Sequence, residues 1–235
     1  MARRVGTVTL VRNCENFILP HLNMLKGADK RVVLYLKQPF KPYTQYYPEQ
    51  PDRALELAKT VKGVEIVETD IDTYGKDVYN AALDACSDCD IVILLHADNF
   101  TLDFKKLLNY IRSTDFSCYK LNFPKCVISY YHDFEHGIRD ALDHDPMAVS
   151  PRGRFESVMT YNSPRTTEID FLTFHHFVGW KGKASTKEWI DGVIDDDSGR
   201  NSIKLREQFG DWTPAPEEIR KMFKVNKKYG LRYEA

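Results

Sequence analysis

The 235 residues are enough for one large domain or two small ones, and 43% hydrophobic with 29% charged residues is the composition of a folded, soluble protein. The formal net charge of −1 gives no overall attraction to nucleic acids or anionic membranes, and no apolar stretch approaches the roughly 20 residues of a membrane-spanning helix. Five scattered cysteines and a start without a signal-peptide core predict reduced thiols and a cytoplasmic location.

Four strand patterns alternate with three helix patterns in the first hundred residues. In chain order the strands are predicted at 5–12, 31–37, 64–70 and 90–98, and the helices at 16–27, 51–63 and 77–89. Gly27 and Gly63 come at the ends of the first two helices, where a glycine commonly stops a helix. The alternation, with nearly continuous apolar runs in two strands, predicts a mostly parallel α/β sheet flanked by helices.

Ligands of such sheets bind beyond the carboxyl ends of the strands. The residues at these ends are 12–15, 37–47, 70–76 and 96–99, and we expect them to line one crevice. Polar side chains at these ends that could contact a ligand include Lys76, Asp70 and Asp72, with Asn80 one turn into the next helix. Simpler interpretations are a solvated lysine, a surface asparagine and carboxylates that cap turns.

The fourth strand ends in His96, Ala97 and Asp98. Residues i and i+2 of an extended chain point the same way, so both His96 and Asp98 are predicted to reach one bound ion. An imidazole beside a carboxylate favours Mn²⁺ over Mg²⁺, because imidazole is the softer ligand. Such a pair on its own is more often a turn cap and a packed histidine, but other stretches of the sequence fit the same chemistry.

Three stretches resemble the GT-A-fold nucleotide-sugar glycosyltransferases of the family 2 type. They are TLVRNCENFILPHLNML at 9–25, DTYGKDVYNAALDACSDCDIVILLHADNF at 72–100 and FLTFHHFVGWKGKAS at 171–185. The first is similar to the family's opening strand with its Arg-Asn-Glu loop, although Cys14 displaces the glutamate to Glu15. The second is similar to the central block that ends in Asp-x-Asp, with His96 in place of the first acid. The third is similar to the late strand that ends in a metal-binding histidine.

The resemblance implies a GT-A domain over residues 1–190 and a helical extension over 191–235 packed on it. It implies a nucleotide-diphosphate sugar as donor and a divalent metal, held by Asp98 and a late histidine. Neighbouring residues on a strand face opposite sides, so only one of His175 and His176 should meet the ion, and His176, next to the loop, is favoured. Donor contacts are then expected from Arg12 and Asn13, and from Lys181 in a glycine-flanked basic loop. Lys76 would add a positive charge for the diphosphate, Asn80 would hold ribose or phosphate, and Asp70 or Asp72 would hydrogen-bond the base.

An inverting transfer needs a base to deprotonate the acceptor hydroxyl. Glu168 and Asp170, just before the late strand, are nearest to the family's base in sequence order, whereas a retaining transfer would use neither in this role. Hexosyl and pentosyl transfer both fit. The acceptor class stays open between a glycan, a lipid, a protein and a modified nucleic-acid base.

Two other functions compete with this interpretation. HDFEH at 132–136 fits the pattern of inverted zinc proteases, in which His132 and His136 would bind zinc and Glu135 would be the base of a hydrolase. Alternatively, the chain is a non-catalytic GT-A-like binding protein, since His96 replaces a family acid. CSDC at 86–89 follows a helix instead of preceding one, which disfavours a redox pair.

Basic residues concentrate near the end of the sequence. They are Arg220, Lys221, Lys224, Lys227, Lys228 and Arg232, with aromatic residues between them. Pro214 fits the start of a helix there. The segment is interpreted either as a contact for an acidic acceptor, including nucleic acid, or as an amphipathic packing element with a solvated lysine face.

Overall fold

A seven-stranded, mostly parallel sheet forms the centre of the computed structural model. The model describes residues 3–38, 51–73, 75–114, 119–122, 126–129, 138–140, 147–156, 161–162, 165–169, 171–177 and 216–231. Its first four strands are β1 (Val5–Val11), β2 (Lys30–Leu36), β3 (Glu65–Thr69) and β4 (Ile91–His96). They alternate with α1 (Glu15–Met24), α2 (Ala54–Lys59) and α3 (Lys76–Ala85), as the sequence predicts.

The later elements extend the first sheet and build a second one. They are β5 (Asn99–Phe100), α4 (Phe104–Ser113), β6 (Tyr119–Asn122), β7 (Cys126–Ser129), β8 (Ile138–Asp140), β9 (Met147–Val149), β10 (Arg165–Glu168), β11 (Phe174–Phe177), α5 (Glu217–Met222) and a 3-10 helix (Phe223–Tyr229). The first sheet has the order β10-β6-β9-β4-β1-β2-β3, and the second β5-β11-β7-β8. In the first sheet only β9 runs antiparallel to its neighbours, so the fold class agrees with the prediction.

Both faces of the first sheet are covered, which explains its continuous apolar strands. Val5, Val33 and Ile93 pack against α1, α2, α4 and the C-terminal helices. Val8 and Leu94 pack on the opposite face against α3, Phe155 and Tyr161.

Two glycines mark the ends of the first two helical segments. Gly27 has φ +104° and Gly63 has φ +76°, a left-handed conformation in which other residues are strained. The regular helices end a few residues earlier, α1 at Met24 and α2 at Lys59, so the predicted boundaries are slightly too long.

The C-terminal helices pack on α1. Phe223 is fully buried, with its ring 5.9 Å from that of Phe17 and 5.1 Å from that of Phe100, measured between centroids. The Asn226 side chain donates a 2.7 Å hydrogen bond to the Asn16 carbonyl. This end of the chain therefore supports the helix that follows β1. The domain boundary predicted at 190/191 lies outside the described residues.

Candidate functional site

The carboxyl ends of the first four strands lie together at one edge of the sheet. Arg12 Nη1 donates hydrogen bonds to the backbone carbonyls of Leu36, at 2.9 Å, and of Lys37. These two bonds connect the end of β1 to the end of β2. The Lys37 amide in turn donates to the Thr69 carbonyl at the end of β3. Leu10 of β1 is the register partner of His96 at the end of β4. The described strand ends thus converge at one edge, whereas residues 39–47 and 74 of the predicted crevice lie outside the described residues.

The chain passes from the first sheet to the second between His96 and Asn99. β4 ends at His96, Ala97 and Asp98 form a turn, and Asn99 begins β5. The Asn99 side-chain oxygen accepts a 2.8 Å hydrogen bond from the His96 amide and closes the turn. Residues 96–98 are therefore not the extended segment from which a common direction of the two side chains was predicted. His96 is half-buried and Asp98 is only 1% exposed.

The late histidines lie beside this turn. β11 pairs antiparallel with β5, and the register places His176 opposite Asn99 and His175 opposite Phe100. His175 is half-buried, and burial lowers its pKa to about 4, so it is neutral at physiological pH. The backbone thus brings the predicted late strand next to Asp98. The role of the His176 side chain stays a prediction.

His21, a residue that the sequence analysis did not single out, lies beneath the same turn. It is fully buried on α1, and its ring nitrogens lie 3.0 Å from the Thr9 hydroxyl and 3.0 Å from the Asn99 carbonyl oxygen. Burial lowers its pKa to about 4, opposed by the hydrogen bond to Asn99 and the charge of Asp98. The only signal in the sequence was a histidine on the apolar side of a helix, which does not reveal its partners.

Asn13 and Asp52 organise the loop that follows β1. Asn13 is buried with φ +49°, and its side-chain oxygen accepts a 3.1 Å hydrogen bond from the Asp52 amide. The Asp52 carboxylate accepts from the amides of Glu15, at 2.7 Å, and Ala54, at 2.9 Å, at the starts of α1 and α2. Burial raises the pKa of Asp52, although these amide donors act in the opposite direction. Asp52 was not predicted as a site residue.

The other predicted donor contacts differ in their surroundings. Asp70 is 76% exposed and pairs with Lys37 at 2.7 Å. The Asp72 carboxylate accepts a 3.2 Å hydrogen bond from the Thr73 hydroxyl, and Lys76 is exposed at the start of α3. The predicted contacts of these three side chains with a nucleotide stay predictions.

Asn80 has a clear structural task. Its amide nitrogen donates to the Phe155 carbonyl at 3.1 Å, and its oxygen accepts from the Phe155 amide at 2.8 Å. Both ends of the side chain thus hold the segment that follows β9. The predicted contact of Asn80 with ribose or phosphate stays a prediction, for which this pairing offers no support.

The remaining predicted residues are only partly described. The backbone of Glu168 pairs with Asn122, which pairs with Met147, which pairs with Leu94. Glu168 therefore lies three inter-strand spacings, about 14 Å, from β4 and two residues short of the level of His96. Asp170 and Lys181 lie outside the described residues, and so do His132, Glu135 and His136 of the zinc-hydrolase alternative.

The described part of the chain holds no group of three or more His, Cys, Asp or Glu side chains that could bind a metal unaided. Carboxylate and imidazole are nevertheless the donor types that suit Mn²⁺, and Asp98 with His96 supplies one of each.

Among the described residues, no helix has the length and hydropathy needed to cross a bilayer.

No protein-family model matches the sequence, and no curated protein sequence matches it either. Solved structures share its fold. The mannosyltransferase PcManGT from Pyrobaculum calidifontis, in complex with GDP-Man and Mn²⁺, has a TM-score of 0.52 and 14% identity over 96% of this chain and 69% of its own. GalNAc-T7 with UDP, GalNAc and Mn²⁺ has a TM-score of 0.51 and 9% identity, over 98% of this chain and 58% of its own. S. aureus TarS with UDP has a TM-score of 0.50 and 9% identity, over 97% and 72%.

The chain has a GT-A-like fold. These similarities confirm the resemblance at the level of the fold: an α/β, Rossmann-like sheet shared with structures that hold nucleotides or nucleotide sugars. At 9–14% identity they carry the architecture alone. The chain spans little more than half the length of GalNAc-T7.

Proposed function

We propose that this protein is a divalent-metal-dependent glycosyltransferase, which transfers a sugar from a nucleotide-diphosphate sugar to an acceptor. The observation that carries the proposal is the junction between the two sheets, where the buried Asp98, the half-buried His96 and the backbone of β11 meet at the strand ends. The GT-A-like fold supports it, because PcManGT was solved with GDP-Man and Mn²⁺, and GalNAc-T7 with UDP, GalNAc and Mn²⁺.

Asp98 would hold the metal, with His96 and His176 as further ligands. A divalent ion at this position would neutralise the charge that develops on the diphosphate leaving group. Because two or three protein ligands leave a divalent ion incompletely coordinated, the diphosphate oxygens and water would complete its shell. The mixed oxygen and nitrogen donors favour Mn²⁺ over Mg²⁺.

Asn13 is the best-supported contact to the donor nucleotide. Since its side-chain oxygen accepts from Asp52, its Nδ2 is the remaining donor, and no acceptor for that atom is found among the described residues. Asn13 is 2% exposed and lies at the end of β1, in the crevice edge. A buried amide donor of this kind favours a ligand that offers an oxygen or ring-nitrogen acceptor.

The charged residues at the strand ends would place the rest of the donor. Lys76 would approach the phosphates, and Asp70 or Asp72 the base. Arg12 Nη1 is already hydrogen-bonded to two backbone carbonyls. Arg12 would therefore act on the donor through its positive charge more than through direct hydrogen bonds. Lys181 would cover the diphosphate and exclude water, which otherwise competes with the acceptor.

On the acceptor side, the residue to assign is the base of an inverting transfer. Asp170 or Glu168 would take the proton from the acceptor hydroxyl. Asp170 follows Glu168 by two residues in the connection to β11, whose backbone adjoins Asn99, so it is the better candidate. The class of acceptor and the size of the transferred sugar stay open.

A thermal-shift screen of nucleotide sugars with and without Mn²⁺ tests the proposal. A ligand at one hundred times its Kd stabilises the native state by about 2.7 kcal/mol, which corresponds to a rise in Tm of roughly 5–10 °C for a chain of this size. We expect such a rise for at least one uridine or guanosine diphosphate sugar, and only with the metal present. Mn²⁺ alone and nucleotide with EDTA are the controls.

The absence of a shift with every nucleotide sugar and divalent metal would contradict the proposal. Stoichiometric zinc retained through purification would instead favour the hydrolase centred on His132, Glu135 and His136. Nucleotide-sugar binding without transfer or hydrolysis of the donor would favour the non-catalytic binding protein.

A further inference from the structure

His21 is held by two hydrogen bonds in the interior of the protein. Its side chain has no exposed surface, and it lies between Thr9 on β1 and Asn99 at the start of β5. Its ring meets that of Phe100 edge to face, with 5.7 Å between the centroids. The residue therefore touches the first strand and the first residue after the turn that carries Asp98.

The hydrogen bonds determine which ring nitrogen carries the hydrogen. A backbone carbonyl oxygen only accepts, so Nδ1 donates to Asn99, and Nε2 then accepts from the Thr9 hydroxyl. Burial lowers the pKa of His21 to about 4, which keeps the ring neutral and this arrangement intact at physiological pH. Both nitrogens are thus used within the protein, and neither is a metal ligand.

These bonds continue into the turn itself. The Asn99 carbonyl is held by His21, and the Asn99 side chain holds the amide of His96, at 2.8 Å. Asp98 lies between the two residues that are fixed in this way. The backbone on both sides of the proposed metal ligand is therefore tied, through one imidazole, to β1 and α1.

We propose that His21 is a positioning residue, which fixes Asn99 and thereby sets the direction of the Asp98 carboxylate toward the metal. The inference rests on the proposed function, since it assigns a second residue to the same site. It follows the general behaviour of metal sites, in which the groups that orient the ligands change metal affinity about 10–100-fold when removed.

Two amide substitutions separate the two hydrogen bonds. In His21→Asn the amide nitrogen can occupy the position of Nδ1 and still donate to Asn99, while the bond to Thr9 is lost. In His21→Gln the longer side chain reaches the position of Nε2 and Thr9, while the bond to Asn99 is lost. Both variants lose the ring and its contact with Phe100, so we expect similar losses in Tm.

The readout is the Mn²⁺ concentration that gives half-maximal binding of UDP or GDP, whichever the unmodified protein binds, measured by calorimetry on the full chain. We expect His21→Gln to raise this concentration 10–100-fold and His21→Asn to raise it no more than about threefold. Leu83→Ala, in the core on the other face of the sheet, is the control for general destabilisation, with a lower Tm and an unchanged requirement for Mn²⁺.

Equal effects of the two amide variants, or an Mn²⁺ requirement that follows Tm in all three, would overturn the role of His21 and leave the proposed function standing. If neither amide variant folds, Asn99→Ala tests the same tie from its other end, because it removes the side-chain bond to the His96 amide. It should raise the Mn²⁺ requirement at least threefold, and an unchanged value would overturn the inference. An unmodified protein without any metal-dependent nucleotide binding would overturn the inference and the proposed function together.

Discussion

Asp98 differs from the other acids at the strand ends because it is almost completely buried. Only 1% of its surface is exposed, compared with 76% of the Asp70 side chain. A buried carboxylate is stable in its charged form only with compensating charge or hydrogen bonds, and a divalent ion supplies strong compensation. In the proposed function, this burial beside the turn between the two sheets is the reason to assign the metal to Asp98 and not to Asp70.

Asp98→Asn tests this distinction. The substitution keeps the size of the side chain and removes the charge, so we expect the fold to be retained. The affinity for UDP or GDP in the presence of Mn²⁺ should fall at least tenfold, as measured by calorimetry. Asp84→Asn, which removes an exposed partner of Arg154, is the matched control and should leave this affinity unchanged. Equal affinities of Asp98→Asn and the unmodified protein would contradict the assignment.

The two candidate bases are distinguished by turnover. Positioned general bases contribute about 10²–10⁴-fold to the rate. We therefore expect Asp170→Asn to lower kcat by at least 100-fold with little change in the KM of the donor, and Glu168→Gln to have a smaller effect. A large loss in Glu168→Gln alone would reverse the assignment. Small effects in both would indicate a retaining transfer or another base.

His21 gives stability a pH dependence whose sign follows from its pKa. The value is lowered from 6.5 in the unfolded chain to about 4 in the fold, so the unfolded chain takes up a proton first as the pH falls. The contribution of neutral His21 to the free energy of unfolding is fully present above pH 6.5. It is lost between pH 6.5 and 4, which lowers the free energy of unfolding by about 3 kcal/mol in total. Urea unfolding at several pH values should show this decline in the unmodified protein and a smaller one in His21→Gln. The same decline in both would contradict the contribution of His21.

At the scale of elements, the 3-10 helix stabilises α1 through Phe223. The fully buried ring contacts Phe17 and Phe100, so Phe223→Ala should lower the free energy of unfolding by about 3–5 kcal/mol. The exposed Lys224→Ala next to it should change it by less than about 0.5 kcal/mol. Chemical denaturation measures both. Similar values for the two variants would show that the C-terminal helices contribute little to the fold.

The elements up to β4 could be predicted because their signals are local. Continuous apolar runs such as 91–95 indicate strands buried on both faces, and the glycines at 27 and 63 mark the ends of helical segments. The pairing of β5 with β11 could not be predicted from the residues alone. It joins Asn99 to His176 across more than seventy residues, and a two-residue strand has no periodicity to reveal it.

The same contrast applies to the candidate site. The Asp98 motif and the strand ends were visible because residue type and position along the chain suffice to locate them. The roles of His21, Asp52 and Asn80 were not, since each depends on a hydrogen-bond partner brought close by the fold, namely Asn99, Glu15 and Phe155. The residues that support a site through hydrogen bonds can therefore be identified only from the structure.

At the scale of the whole molecule, the proposed function makes the edge where the two sheets meet a metal-dependent site for a nucleotide-diphosphate sugar. Supporting residues come from β1, α1, the loop before α2 and the C-terminal helices behind α1. A site built from so many segments should bind its nucleotide only in the folded protein, which is why ligand binding and stability are linked.

The most direct measurement is a crystal structure of the protein with Mn²⁺ and the UDP or GDP that stabilises it. We expect the ion at coordination distance, about 2.0–2.4 Å, from an Asp98 carboxylate oxygen and from the diphosphate, with the nucleoside beside Asn13. An ion and nucleotide bound away from this edge, with Asp98 contacting protein groups alone, would contradict the proposed metal site.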